Sequence, residues 1–417
     1  MTTSSSTSIF EQTIVNRDEI PQHALDIDTR LRTNPFPWRG QFSPCLVEIL
    51  LSTYSKSTDK VADPFAGVGT TLFESARKNI PCSGIELNPA AVTMAETVMF
   101  VELSLEKRHA AVCRAEILLD NALGTSEFRL LSGHETATLA PTILEPLARL
   151  IRQHVSCPFE RNLLANTLIR VLDSKYPTDA RQLFRALRQH AEIVFALPHR
   201  TNFQWPIDNG DARQLPLPSA SVDLAITSPP CINFFNYHQN NRPAMELLGW
   251  DLLEVAKSEF GSNRKNRGNR FLTVIQYCLD MQAALIELRR VVKAGGRAIF
   301  VVGRQSCVRG VPFQNASLVS SIAEMASFAL VTRQERKFKN KFGELIYEDI
   351  LHLVPKPIVA TSESSALQLA VRELQSLVDY PCDSGVKDDL RGAIKSASEV
   401  RSSPLYTRRN LEKWKVA

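Results

Sequence analysis

Apolar positions along this chain change period several times, and each change marks an element. Cys45–Tyr54 carries apolar residues at helical spacing behind Ser43 and Pro44, an N-cap followed by a first-turn proline. Lys60–Asp63 reads as a short strand, Thr71–Asn79 as a helix and Pro81–Leu87 as a second strand carrying Glu86 near its end. From 91 to 200 glycine nearly vanishes, Leu, Ala, Arg and Glu dominate, and helical periodicity runs through 103–119, 144–154, 162–172 and 180–191. The strand pattern then returns at Val222–Thr227. A helix over 279–292 ending at Gly295-Gly296, a buried strand over Arg297–Gly303 and a helix over 318–327 follow. Phe338–Leu353 predicts two strands about a turn at Gly343.

This alternation predicts an α/β fold: a Rossmann-like, doubly wound, mainly parallel sheet with helices on both faces, a closing β-hairpin and a helical insertion. The expected division is a flexible tail over 1–30 and one catalytic domain built from 31–90 and 201–356. A helical insertion over 91–200 and a weakly helical tail over 357–417 complete it.

Composition changes the picture little. Hydrophobic residues make up 44% and charged residues 22%, ordinary for a globular domain. The longest apolar runs, such as Arg297–Val302, are strand-length and too short for a bilayer. The Ser/Thr-rich start lacks the charged and apolar regions of a secretory signal. Eight scattered cysteines without a CxxC pair argue for reduced thiols, a cytoplasmic location and no metal site. The net charge of +5 allows a polyanionic partner without demanding one.

Two loops carry the candidate chemistry. Asp63-Pro64-Phe65-Ala66-Gly67-Val68-Gly69-Thr70 lies between a strand and a helix. Glycines there let the backbone turn tightly and approach a ligand, and the helix beyond offers free amide donors. Glu86, at the end of the next strand, falls where a ribose hydroxyl pair sits in a nucleotide site. The second loop, Ser228-Pro229-Pro230-Cys231, ends an apolar strand. Two prolines cannot extend a ladder, so a rigid irregular loop is expected at a strand's C-terminal end, where open α/β sheets bind ligands.

The first loop resembles the cofactor loop of S-adenosylmethionine-dependent DNA amino-methyltransferases, the cytosine-N4 and adenine-N6 family. The resemblance implies that Asp63, Pro64, Phe65, Gly67, Gly69 and Thr70 line S-adenosylmethionine, with Glu86 on its ribose. Phe42 and Ser43 are similar to the segment beside the methionine, and Asp211, in Gly210-Asp211-Ala212, to the element that meets the adenine amino group. Ser228-Pro229-Pro230-Cys231 resembles the family's catalytic loop, which implies that Ser228 and the adjacent carbonyl accept hydrogen bonds from the target amino group. Serine in first place resembles the cytosine-N4 branch.

Cys231 departs from the family pattern, which has an aromatic there to stack on a flipped base. Three readings stay open. Phe234, Phe235 or Tyr237 replaces the ring; the branch uses a smaller contact; or Cys231 is the nucleophile of a cytosine-C5 enzyme, with Glu246 as acid partner. Glu246 also belongs to a downstream pattern (Tyr237, Arg242, Glu246) that resembles the amino enzymes, so it decides nothing. His238 is expected to face solvent.

For the DNA contact, Lys257, Arg264, Lys265, Arg267 and Arg270 form a basic loop just after the catalytic one. Further basic clusters are Arg161, Arg170, Arg181, Arg185, Arg188 and Arg200 in the insertion, Arg336–Lys341 on the hairpin, and Arg408-Arg409 with Lys413–Lys415 at the C-terminus. The function expected is methyl transfer to cytosine N4 in double-stranded DNA. A cognate restriction endonuclease, within a restriction-modification system, is the partner the family implies. An RNA methyltransferase and a non-catalytic nucleic-acid binder stand as alternatives.

Overall fold

A computed structural model describes residues 8–27, 32–38, 40–124, 144–173, 179–232, 237–261, 268–339, 343–359 and 363–407. Two short helices, α1 (Ile9–Gln12) and α2 (Gln22–Asp26), precede α3 (Pro44–Tyr54). Then come β1 (Val61–Asp63), α4 (Thr70–Lys78), β2 (Cys82–Glu86) and α5 (Pro89–Ala95). A helical stretch holds α6 (Leu105–Leu123), α7 (Glu145–Gln153), α8 (Pro158–Leu172) and α9 (Ala180–Phe195). Strands resume with β3 (Ile207–Asn209) and β4 (Val222–Thr227), followed by α10 (Arg242–Leu247), α11 (Leu252–Ser258), α12 (Phe271–Val291) and β5 (Val292–Gly303). A small hairpin, β6 (Gln305–Val308) and β7 (Val311–Gln314), leads to α13 (Asn315–Met325), β8 (Phe328–Lys339), β9 (Leu345–Pro355), α14 (Glu363–Ser376) and α15 (Ser384–Lys395).

The main sheet is open, with strand order β3-β2-β1-β4-β5-β9-β8. The pairs among β1 to β5 are parallel, and β9 and β8 join antiparallel as the expected closing hairpin. Central strands show why their sequences read as unbroken apolar runs: both faces are covered. Ile226, Ile299 and Ile350 point into one apolar cluster, and their neighbours Ala225, Phe300 and Leu351 into the other.

The first cluster joins Leu46 of α3 and Leu72 of α4 to Ala111, Leu163 and Leu187 of the helical stretch. The second joins Val274 of α12 and Ile322 of α13 to Ala370 and Leu390 of α14 and α15. The described parts of the insertion and of the C-terminal tail therefore complete the two helical layers. Arg108 fastens α6 to the end of α9. It is 2% exposed, and its guanidinium donates to the carbonyls of Leu103, Val194, Leu197 and Pro198 at 2.5–3.1 Å.

Several sequence boundaries move. The helix expected over 279–292 begins at Phe271, and Gly295-Gly296 lie inside β5, where the register against β4 shifts between Val222 and Leu224. At 21 residues α12 is long and apolar enough to cross a membrane, yet 78% of its apolar window is buried inside the fold. The closing hairpin starts at Phe328 rather than 338. The β6–β7 hairpin is an addition to the expected elements. Arg309 and Gly310 between its strands take positive φ of 51° and 82°, as a two-residue hairpin loop requires.

Candidate active site

The chain runs from β1 outward through β2 to β3 on one side, and from β4 to β5 on the other. The direction reverses between the neighbours β1 and β4, which opens a crevice at their C-terminal ends. Both candidate loops leave the sheet there, although their residues lie far apart in sequence.

Asp63 does not line the resulting cavity. It is fully buried beneath it, accepting from Thr71 Oγ1 and Thr227 Oγ1 at 2.6 Å each and from the Phe65 amide at 3.1 Å. Burial pushes its carboxyl up to about 6, partly offset by these donors. Gly69 also lies off the cavity. It starts α4 at φ 87°, where a Cβ would come within 2.8 Å of the Ala95 Cβ. Ser43 stands at the N-cap position of α3, without a capping bond from its side chain, and outside the cavity as well.

The cavity measures about 290 Å³. Phe42, Pro64, Phe65, Gly67, Thr70, Glu86, Asp211, Ser228, Pro230 and Cys231 line it, so most of the residues singled out in the sequence converge. Gly67 has φ 52°, and a Cβ there would lie 3.7 Å from the Trp38 indole nitrogen. The Glu86 carboxylate accepts the Gly67 amide at 2.9 Å and the Asn88 amide at 2.7 Å. Burial pushes Glu86 up to about 7, against the pull of those two amides. Thr70 donates to Asn34 Oδ1 at 3.1 Å, which ties the start of α4 to the segment carrying Phe42.

At the second loop, Ser228, Pro230 and Cys231 face the cavity while Pro229 is buried behind them. Burial pushes the Cys231 thiol up to about 11; a hydrogen bond with the Gly303 backbone lowers it and the Glu348 carboxylate raises it. A thiol that burial keeps protonated is a poor nucleophile. Glu246, the acid considered as its partner, sits on α10 outside the cavity, 52% exposed and paired with Arg242 at 2.7 Å.

Tyr237 lines the cavity beside Cys231. Its carbonyl accepts from Asn88 Nδ2 at 3.1 Å. The next residue, His238, is 5% exposed, contrary to the solvent-facing position expected for it. Its Nδ1 lies 2.7 Å from Glu259 Oε2, and its amide donates to the other oxygen of that carboxylate. The turn bearing Tyr237 is thus held from both sides. Phe234 and Phe235 lie outside the described residues.

Asp211 reaches the cavity wall with its carboxylate already engaged. Arg213 donates to it from its amide, Nε and Nη2 at 3.0, 2.9 and 2.6 Å, and the Tyr406 amide adds a fourth bond at 3.0 Å. Four donors match the acceptor capacity of a carboxylate. Among the basic candidates, Arg270 is exposed at the cavity and Lys257 lies on α11. Arg264, Lys265, Arg267, Asn340, Lys341, Arg408, Arg409, Lys413 and Lys415 lie outside the described residues. Two insertion arginines serve the fold: Arg161 donates to the Val155 carbonyl and Arg200 to the carbonyls of Ala76 and Arg77 at the end of α4. Arg181, Arg185 and Arg188 line a shallow groove on α9. On the hairpin, Arg336 is 5% exposed and paired with Glu348 at 3.2 Å.

Sequence reading missed Trp38, Asn88, Glu259 and Phe260, all of which line the cavity. Asn88 did carry a signal: Asn-Pro directly after a strand is a helix cap and first turn, and its Oδ1 accepts from the Ala90 and Ala91 amides. Trp38 lies four residues before Phe42. Glu259 and Phe260 had no local signal; Phe260 meets Phe65 edge-on at 5.4 Å only because two distant loops converge.

Residues 12–97 match the DNA methylase family of N6 and N4 methyltransferases. Over 92 residues the chain is 35% identical to the Type II methyltransferase M.MjaII of Methanocaldococcus jannaschii, a match that covers 22% of this chain and 16% of that protein. Solved structures with likeness to it include a SAM-dependent methyltransferase from Methanosarcina mazei, at 10% identity, 74% and 97% coverage and a TM-score of 0.35. Another is an rRNA methyltransferase from Streptomyces viridochromogenes, at 11% identity, 84% and 96% coverage and a TM-score of 0.30. The fold rests on the strand order itself. The family match spans β1, the glycine loop and Glu86, and S-adenosylmethionine is the cofactor that this loop, this acid and this strand order fit.

Proposed function

We propose that this chain is a DNA methyltransferase acting on an exocyclic amino group, cytosine N4 in double-stranded DNA. The observation that carries the reading is the convergence of Gly67 and Glu86 with Ser228, Pro230 and Tyr237 on one cavity at the sheet's switch point. When bound, S-adenosylmethionine supplies a methyl group already activated on sulfur, so the protein's task is chiefly to orient.

In this reading Glu86 accepts from the ribose hydroxyls, and the glycine loop with Trp38 and Phe42 surrounds the methionine end. Ser228 and the adjoining carbonyl accept hydrogen bonds from the target amine, which holds the nitrogen lone pair toward the methyl. The prolines make that acceptor rigid. Tyr237 supplies the ring face that Cys231 lacks, and Cys231 is a spacer. The high thiol pKa and the surface position of Glu246 favour this reading over cytosine-C5 chemistry. Lys257, Arg264, Lys265, Arg267 and Arg270 would meet DNA phosphates or base edges at the cavity mouth. A companion restriction endonuclease belongs to the same proposal.

The test is product chemistry. Plasmid DNA from cells expressing the protein is digested to nucleosides and analysed by mass spectrometry against retention standards. N4-methylcytosine, retained in Cys231→Ser, is the expected result. C5-methylcytosine that disappears in Cys231→Ser would overturn the amino reading, and N6-methyladenine would correct the target base. No modified base in DNA would move the reading to RNA or to a non-catalytic binder.

A further inference from the structure

The segment 400–407 has no part in the reading above, yet it is tied into the cavity wall. The Tyr406 amide donates to Asp211 Oδ2 at 3.0 Å, and its hydroxyl to Asn209 Oδ1 at 2.7 Å. Asn209 in turn donates to the carbonyls of Glu86 and Leu87 at 3.0 and 2.8 Å. Ser403 Oγ donates to the Glu259 carbonyl at 2.9 Å. Asp211, Glu86, Leu87 and Glu259 all line the cavity; no described residue of the segment does.

Arg213 is the hub. Its side chain is 2% exposed and bridges Asp211 and Asp280, with Nη1 2.8 Å from Asp280 Oδ1. It also donates to the carbonyls of Ser258, Ser403 and Pro404 at 2.7–2.9 Å. The guanidinium carbon lies 5.3 Å from the Phe260 ring centroid. Asp280 binds the Ser403 amide and hydroxyl at 2.8 and 2.7 Å and the Gly261 amide at 3.1 Å. Wall segments 209–212 and 258–261 are thus fastened to one another through Arg213 and the C-terminal segment, and Asn209 ties the carbonyls of Glu86 and Leu87 to the first of them.

Buried charges on this scale cost desolvation, and well-packed apolar residues serve stability as well. What the cluster adds is geometry: it fixes separate loops in one arrangement before a ligand arrives, which lowers the ordering cost of binding. We propose that Arg213, Asp280 and the segment Ser403–Tyr406 position the cavity end beyond Glu86 to hold the adenosine of the cofactor. The proposal rests on the reading of this cavity as the S-adenosylmethionine site.

Calorimetry with adenosine and with S-adenosylmethionine tests it on the full chain. Tyr406→Phe and Ser403→Ala each remove one or two hydrogen bonds. Tyr406→Phe is expected to weaken adenosine binding about two- to tenfold with a melting midpoint close to that of the native chain; Ser403→Ala, which takes a partner from the buried Asp280 carboxylate, is expected to weaken it as much and to lower the midpoint. Arg213→Lys keeps the charge but loses the fork, and is expected to weaken it further; should it fail to fold, the two tail variants carry the test. In a methylation assay the tail variants should raise the KM for S-adenosylmethionine and keep kcat. Unchanged adenosine affinity in both tail variants overturns the proposal, as does a fall in kcat at saturating cofactor with KM unmoved. A native chain that binds neither probe overturns the cavity reading itself, and this proposal with it.

Discussion

The Thr227 hydroxyl donates to Asp63 Oδ1 at 2.6 Å, so the residue that ends β4 holds the residue that ends β1 across 164 positions of sequence. Thr71 holds the other oxygen from the first turn of α4. The two motif loops are thereby locked in register at their roots, and a shift in one is felt in the other.

Thr227→Val keeps the shape and removes the donor. A buried carboxylate oxygen loses a partner, which costs about 1–3 kcal/mol. Urea unfolding should show that loss, and calorimetry should show weaker S-adenosylmethionine binding. Full stability with native cofactor affinity would show that the link carries nothing. The pH dependence follows in sign. Asp63 is raised from 3.8 to about 6, so the folded state holds its proton more tightly than the unfolded chain. Its contribution to stability therefore grows as pH falls from about 6 to 4 and is lost as pH rises through 6. Asp63→Asn should flatten that part of the stability profile.

Glu86 predicts a pH dependence of binding. Burial pushes its carboxyl up to about 7, and only the ionised form accepts from two ribose hydroxyls. Affinity for S-adenosylmethionine should rise as pH increases through about 7 and level off above it. Titration calorimetry from about pH 6 to 8.5 spans that transition. Glu86→Gln should bind more weakly and show a flatter profile; an equally steep one would assign the dependence elsewhere.

Tyr237 carries the stacking role in the proposed reading. Stacking on a base is worth about 1–3 kcal/mol, so Tyr237→Ala should lower kcat/KM for DNA roughly 5- to 150-fold. Tyr237→Phe keeps the ring and should retain most of the activity. A Phe variant as impaired as the Ala variant would mean that the hydroxyl, not the ring face, matters.

Arg108 tests whether the helical stretch folds with the sheet. Its removal takes a donor from four carbonyls around α6 and α9. Arg108→Met should cost about 1–3 kcal/mol, in line with buried acceptors left without their donor. Because α6 and α9 share a cluster with α3, α4 and the sheet, calorimetry should show one transition at lower temperature. A separate early transition would make the stretch an independent unit.

The chain's local chemistry determined a good deal on its own. Buried parallel strands must read as apolar runs, and glycine and double-proline loops must break ladders. The β/α alternation, the closing hairpin, the 63–70 and 228–231 loops and Glu86 are therefore legible in the order of residues alone. Tertiary structure decided which neighbours each polar group met. By its motif Asp63 is a ligand residue; in the fold it is a buried clamp, because Thr227 arrives from a strand 164 positions away. By its motif Asp211 is free for an adenine; in the fold it is taken by Arg213 and by Tyr406, 195 positions on. His238, a solvent-facing residue by local pattern, is buried against Glu259. Periodicity reports which face a side chain occupies; hydrogen-bond partners depend on which strands become neighbours, and that is set by the packing of the whole sheet.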